Sequence, residues 1–161
     1  MKIEMNLKKL LVGLALLFTG FVLGGVAFTN TQSRNLLGIA DCQGKCGAGP
    51  QVAGLLTLIG VKLTPGFLPN VVAESEQCFA ITSPTPETPV DILFFPKRDM
   101  THLLDIGQGD EDYVLGCFAL MRKVVADRGI KSWLVYSNGP GLQRVAYLHF
   151  HLLAQSEAPK K

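Results

Sequence analysis

The chain has 161 residues, a formal net charge of +2 at pH 7 and 48% hydrophobic side chains. That charge argues neither for nor against nucleic acid, but no basic patch is interleaved with aromatics, so no nucleic-acid partner is expected. The apolar content is uneven along the chain, which leaves room for one small folded domain rather than two.

Residues 1–9 form a basic N-terminal flank that carries Lys2, Lys8 and Lys9. Residues 10–28 carry no charge, and Thr19 is their only clearly polar side chain. As a helix they would be about 28 Å long, close to the hydrocarbon thickness of a bilayer, so a transmembrane anchor is expected. Arg34 is the first basic residue after the segment. The asymmetry places the N-terminus in the cytoplasm and the rest of the chain across the membrane. The competing reading is a signal peptide whose cleavage releases a secreted protein, but the stretch is long for one and residues 26–29 make a poor cleavage site. Gly20 and Gly24 could pack two such helices together.

Residues 29–64 read as a linker with a short apolar segment. Cys42 and Cys46 lie close together in a Gly-rich loop, where a short disulfide suits the far side of a membrane. No second Cys/His pair at ligand spacing accompanies them, so neither a metal nor another cofactor is expected. Residues 52–63 are apolar but too short to span a bilayer. They could lie on the membrane, cover the domain or meet a partner chain. Pro65 and Pro69 close this stretch.

Residues 65–155 have the pattern of a compact α+β unit. Residues 71–74 and 77–81 read as short strands around a turn. Residues 83–89 hold three prolines and read as a loop. Residues 90–95 read as a strong strand ended by Pro96. From Asp110 to Arg128, Val114, Phe118, Met121 and Val125 recur at helical spacing. Acidic residues open this helix and basic ones close it, as the macrodipole favours, and Gly129 is a natural stop. Strands are expected over 133–137 and 144–153, flanking a Gly-Pro loop. Cys78 and Cys117 read as small core residues, and His102 as a surface or capping histidine. The expected architecture is an antiparallel sheet covered by one main helix, with residues 156–161 as a C-terminal tail.

The last predicted strand carries His149 and His151. Residues two apart on a strand share a face, so the imidazoles would project side by side, just after a glycine-bearing loop. Buried histidines are often only hydrogen-bonded core residues. A pair beside such a loop also fits a phosphate-handling site, since imidazole can be nucleophile, acid or base.

Taken in order, Pro89 to Lys97, the acidic-start helix, Ser137-Asn138-Gly139-Pro140, Gln143, and His149-Phe150-His151-Leu152-Leu153 resemble the histidine triad (HIT) family over about residues 68–155. The resemblance implies a five-stranded antiparallel sheet with one main helix, usually in a homodimer. It also implies a nucleotide or nucleotide conjugate as ligand, cleaved at the α-phosphate through a nucleotidyl-histidine intermediate. On this resemblance His149 falls on the nucleophile and His151 on the histidine that helps the leaving group depart. Asn138 and Gln143 fall on side chains near the phosphate.

The chain departs from the family at three positions. Tyr147 stands at the first triad position, Asp91 where a further active-site histidine is common, and Arg144 where a small hydroxyl residue is frequent. The loop from Asn138 to Gln143 is about two residues shorter than in the common branch of the family.

The chemistry needs phosphate donors, and the backbone N–H groups of Gly139 and Gly141 with the side chains of Asn138 and Gln143 could provide them. Tyr147 would share the histidines' face. Asp91 would raise the pKa of a nearby imidazole, either orienting His149 or facing the phosphate and repelling it. Strand alternation turns Arg144 to the opposite face. Three functions stay open from sequence: a membrane-anchored nucleotide hydrolase or nucleotidyl transferase, a degenerate nucleotide-binding domain without catalysis, and a non-catalytic subunit of a membrane complex.

Overall fold

The computed structural model describes residues 7–28, 31–32, 48–63 and 70–155. The Cys42/Cys46 pair, Lys2, Arg34, Pro65, Pro69 and the C-terminal tail lie outside these. Residues 1–31 and 32–161 are two compact units. In the first, helix α1 (Leu7–Ala27) contains an apolar stretch, Lys8–Val26, long enough to cross a membrane. A signal sequence near an N-terminus can meet the same threshold of length and apolarity.

The second unit is an α+β domain. Its elements are α2 (Ala48–Leu63), β1 (Val71–Glu74), β2 (Cys78–Thr82), β3 (Val90–Pro96), α3 (Glu111–Asp127), β4 (Leu134–Tyr136) and β5 (Phe150–Ala154). The strands form one antiparallel sheet in the order β1-β2-β3-β5-β4. The central strand β3 is buried along its whole length, which is why, apart from Asp91, it reads as an apolar run rather than an alternating one.

The two faces of the sheet have separate cores. Cys78, Ala80, Ile92, Phe94, Phe150 and Leu152 pack against Cys117, Leu120, Met121 and Val124 of α3. Phe79, Leu93, Phe95 and Tyr147 pack against Leu58 and Val61 of α2. Of the three readings left open for residues 52–63, the structure shows the covering one. Burying Leu58 and Val61 stabilises the domain by about 1.5–3 kcal/mol each.

Cys78 and Cys117 are not isolated core thiols, as their spacing of 39 residues had implied. They form a disulfide that ties β2 to α3. Their sequence separation hid the pairing, which becomes visible only once α3 crosses the sheet. His102 caps a short 3-10 turn, Leu103–Asp105, by accepting from Leu104 N at 3.2 Å.

The last strand is shorter than expected. Residues 144–149 are irregular, and β5 starts only at Phe150. The backbone here bonds outside the sheet: Ala146 N donates to Pro50 O (2.8 Å) and Leu148 N to Met100 O (2.6 Å). This stretch is therefore pinned between the start of α2 and the loop after β3, and strand alternation does not govern it.

Candidate active site

His151 sits within the ladder, opposite Leu93 of β3 on one side and Tyr136 of β4 on the other. His149 precedes the strand. The two rings lie 5.2 Å apart, centroid to centroid. Both line one open cavity of about 440 Å³, together with Ser83, Thr85, Glu87, Asn138 and Arg144.

His149 is 8% exposed. Its ring stacks on Phe95, with centroids 5.4 Å apart, and its Nδ1 lies 2.7 Å from the carbonyl oxygen of Tyr147. A carbonyl only accepts, so Nδ1 carries the proton and Nε2 is left with its lone pair. Burial lowers the His149 pKa below the usual value of 6.5, outweighing the carbonyl bond and Asp91, which raise it; His151 lowers it further. The carboxylate was expected to favour an imidazolium, but at His149 desolvation wins. The ring is thus neutral and oriented at neutral pH, with Nε2 unprotonated.

His151 has a different environment. Its Nδ1 lies 3.3 Å from Asp91 Oδ1, a diagonal neighbour across the β3–β5 pair. The other oxygen of Asp91 accepts from Glu87 N at 3.1 Å. Asp91 is 2% exposed and lies against His151, so the imidazole it holds is His151 and not the expected His149. An Nδ1–H donated to Asp91 leaves Nε2 of His151 free for the cavity. The His151 ring stacks on Tyr136, 4.5 Å between centroids and 7° between planes. Tyr136 Oη donates to Glu87 Oε1 at 2.9 Å. Its pKa is pushed up to about 12, first by burial and then by Glu87.

The loop after β4 is a tight turn. Gly141 takes φ +83°, a conformation glycine adopts without strain. Gly139 O accepts from both Leu142 N and Gln143 N. The turn carries Asn138 and Leu142 to the cavity wall. Gln143 reaches elsewhere, its amide nitrogen donating to Thr101 O at 3.0 Å, which ties the turn to the loop after β3. The phenol of Tyr147 is fully buried in the α2-side core, with Oη 2.7 Å from Pro96 O and 3.1 Å from Arg98 O. Its carbonyl oxygen is the atom that meets His149.

Arg144, expected on the opposite face, lines the cavity. It does so because the irregular backbone of residues 144–149 breaks the alternation that the prediction assumed. Ser83, Thr85, Glu87 and Tyr136 had also been passed over. The first three come from a proline-rich loop legible only as a turn, and Tyr136 from its cross-strand register with His151.

A HIT domain model matches residues 68–158, more than half of the chain. An uncharacterized HIT-like protein of Synechocystis sp. is 34% identical over 87 residues, 52% of this chain and 75% of that protein. Among solved structures, a histidine triad protein from Clostridium difficile is 29% identical, with a TM-score of 0.54, over 64% of this chain and 94% of that one. A HIT family hydrolase from Clostridium thermocellum is 27% identical, with a TM-score of 0.55, over the same shares of the two chains. A five-stranded antiparallel sheet that brings two imidazoles to one cavity, together with these likenesses, defines the class: the chain belongs to the HIT family.

Proposed function

We propose that the protein is a membrane-anchored nucleotide hydrolase or nucleotidyl transferase that acts at an α-phosphate, with His149 as nucleophile. The observation that carries this reading is the 2.7 Å contact between His149 Nδ1 and Tyr147 O. It fixes the tautomer whose Nε2 can attack phosphorus, in a ring that burial keeps neutral. The Nε2 lone pair forms a bond to phosphorus, and the bond from phosphorus to the leaving group breaks. His151, held by Asp91, supplies a proton to the leaving atom. Asn138 donates to the phosphate oxygens. Water then displaces the histidine and releases the nucleoside monophosphate; another acceptor in its place would make the reaction a transfer.

Two features support a location across the membrane. The basic flank before α1 favours a cytoplasmic N-terminus, and the Cys78–Cys117 disulfide suits an oxidising compartment. A homodimer would form along the outer edge of β4, where Trp133 and Leu134 are exposed beside an apolar groove lined by Phe118, Met121 and Val135. A non-catalytic nucleotide binder is the second reading, favoured by the withdrawal of the Tyr147 phenol from the cavity.

The decisive test is intact-mass analysis of protein quenched during turnover of an adenosine phosphoramidate. The expected result is a nucleotidyl adduct mapped to His149 and absent from His149→Ala. Binding without adduct or turnover would favour the second reading.

A further inference from the structure

We propose that Arg144 sets substrate choice by receiving an anionic leaving group, so that phosphoanhydrides are preferred to phosphoramidates with neutral amine leaving groups. This rests on the reading of His149 as nucleophile. Among the described residues that line the cavity, Arg144 is the one permanent cation. The burial of His149 keeps its ring neutral, and Asp91 lies against His151. Glu87 lines the same cavity, accepting the Tyr136 phenol. A cavity walled by Glu87 would repel a polyphosphate unless a cation opposed it.

The position of Arg144 indicates which phosphate it meets. His149 is almost fully buried, whereas Arg144 is exposed, so the nucleophile lies at the floor and the guanidinium at the rim. In-line displacement places the leaving group opposite the attacking nitrogen, hence toward the mouth. The guanidinium fork matches phosphate geometry there. In the step itself, the Nε2–P bond forms and the bridging P–O bond breaks, with its electron pair kept by the departing phosphate. Arg144 offsets that charge, so this leaving group needs no proton, whereas an amine does. Water then forms an O–P bond, the N–P bond returns its pair to Nε2, and the water proton passes to solvent.

The test compares diadenosine triphosphate with an adenosine phosphoramidate, which share the attacked phosphate and differ in the leaving group. In Arg144→Ala, kcat/KM for the triphosphate should fall about tenfold or more further than for the phosphoramidate. Arg144→Lys should recover part of the difference. Equal losses on both substrates, or no loss, would overturn the inference. Binding of ADP and AMP gives a second measurement that needs no turnover. The wild type should prefer ADP, and Arg144→Ala should lose that preference; a preference that survives the substitution would overturn the assignment. Failure of the wild type to turn over either substrate would instead sink the catalytic reading, and the ADP/AMP ratio would still judge Arg144.

Discussion

The carbonyl of Tyr147 and the ring of His149 form the pivot of the site: Tyr147 O holds Nδ1 at 2.7 Å while the phenol of the same tyrosine is anchored in the core under α2. The residue at the first triad position thus acts through its backbone. Tyr147→Phe should lower stability by about 1 kcal/mol, the usual net worth of one buried hydrogen bond, while turnover stays within about threefold. Chemical denaturation and steady-state kinetics check the two halves. A collapse of kcat in a folded Tyr147→Phe protein would show that the phenol itself takes part.

The lowered pKa of His149 fixes the sign of two pH effects. With the neutral ring as the proposed nucleophile, the acid limb of kcat/KM should lie below 6.5, the ordinary value for histidine. For stability, the unfolded ring takes up its proton at a higher pH than the folded one. This contribution is therefore complete above 6.5 and is lost as pH falls from there through the folded pKa. A pH–rate profile and urea melts across pH 5–8 measure these effects, and His149→Ala should remove its part of the stability change.

Asp91 orients His151 from behind. Asp91→Asn keeps the volume and removes the charge. It should lower kcat for a phosphoramidate about tenfold or more, because the amine must leave with a proton from His151. The effect on a phosphoanhydride should be smaller. The ratio of the two losses, read from kinetics on both substrates, separates proton delivery from a general structural defect.

Reduction should weaken the fold. The Cys78–Cys117 bond closes a loop of 39 residues between sheet and helix, so its loss should cost about 3–4 kcal/mol. Thermal melts with and without reductant, beside a Cys78→Ala/Cys117→Ala double variant, give the magnitude. An unchanged melting temperature would count against the pairing.

Gly116 marks the closest approach of α3 to the β1–β2 turn. A Cβ added there would sit 2.5 Å from Gln77 Cβ. Alanine normally improves a helix interior by about 1 kcal/mol over glycine. Here Gly116→Ala should instead destabilise by about 1–3 kcal/mol through overpacking. Adding Gln77→Gly should recover part of the loss, an interaction that a double-mutant cycle measures.

Much of this architecture could be read from the amino-acid order. The long helix announced itself through Val114, Phe118, Met121 and Val125, and the buried strand through the run ending at Pro96. The two histidines do meet at one cavity, as their spacing suggested, although His149 lies ahead of β5 rather than on it. The place of Arg144 did not follow, because alternation was carried back beyond Phe150 into a stretch whose backbone bonds to Pro50 and Met100. The role of residues 52–63 was equally hidden. A largely apolar helix states that it must be covered, but not by what, and its partners Phe79, Phe95 and Tyr147 come from three different parts of the chain. The loop holding Ser83, Thr85 and Glu87 gave only a turn signal, since its chemistry depends on the cavity it borders.

The placement of α2 has a practical corollary. The recognisable family region begins at residue 68, downstream of Leu58 and Val61. A recombinant fragment cut at that boundary would bare Phe79, Leu93, Phe95 and the face of Tyr147 to water, inviting aggregation. It would also loosen the carbonyl that aims His149. The shortest useful expression product therefore starts ahead of residue 48, so α2 is part of the machinery and not merely a leash.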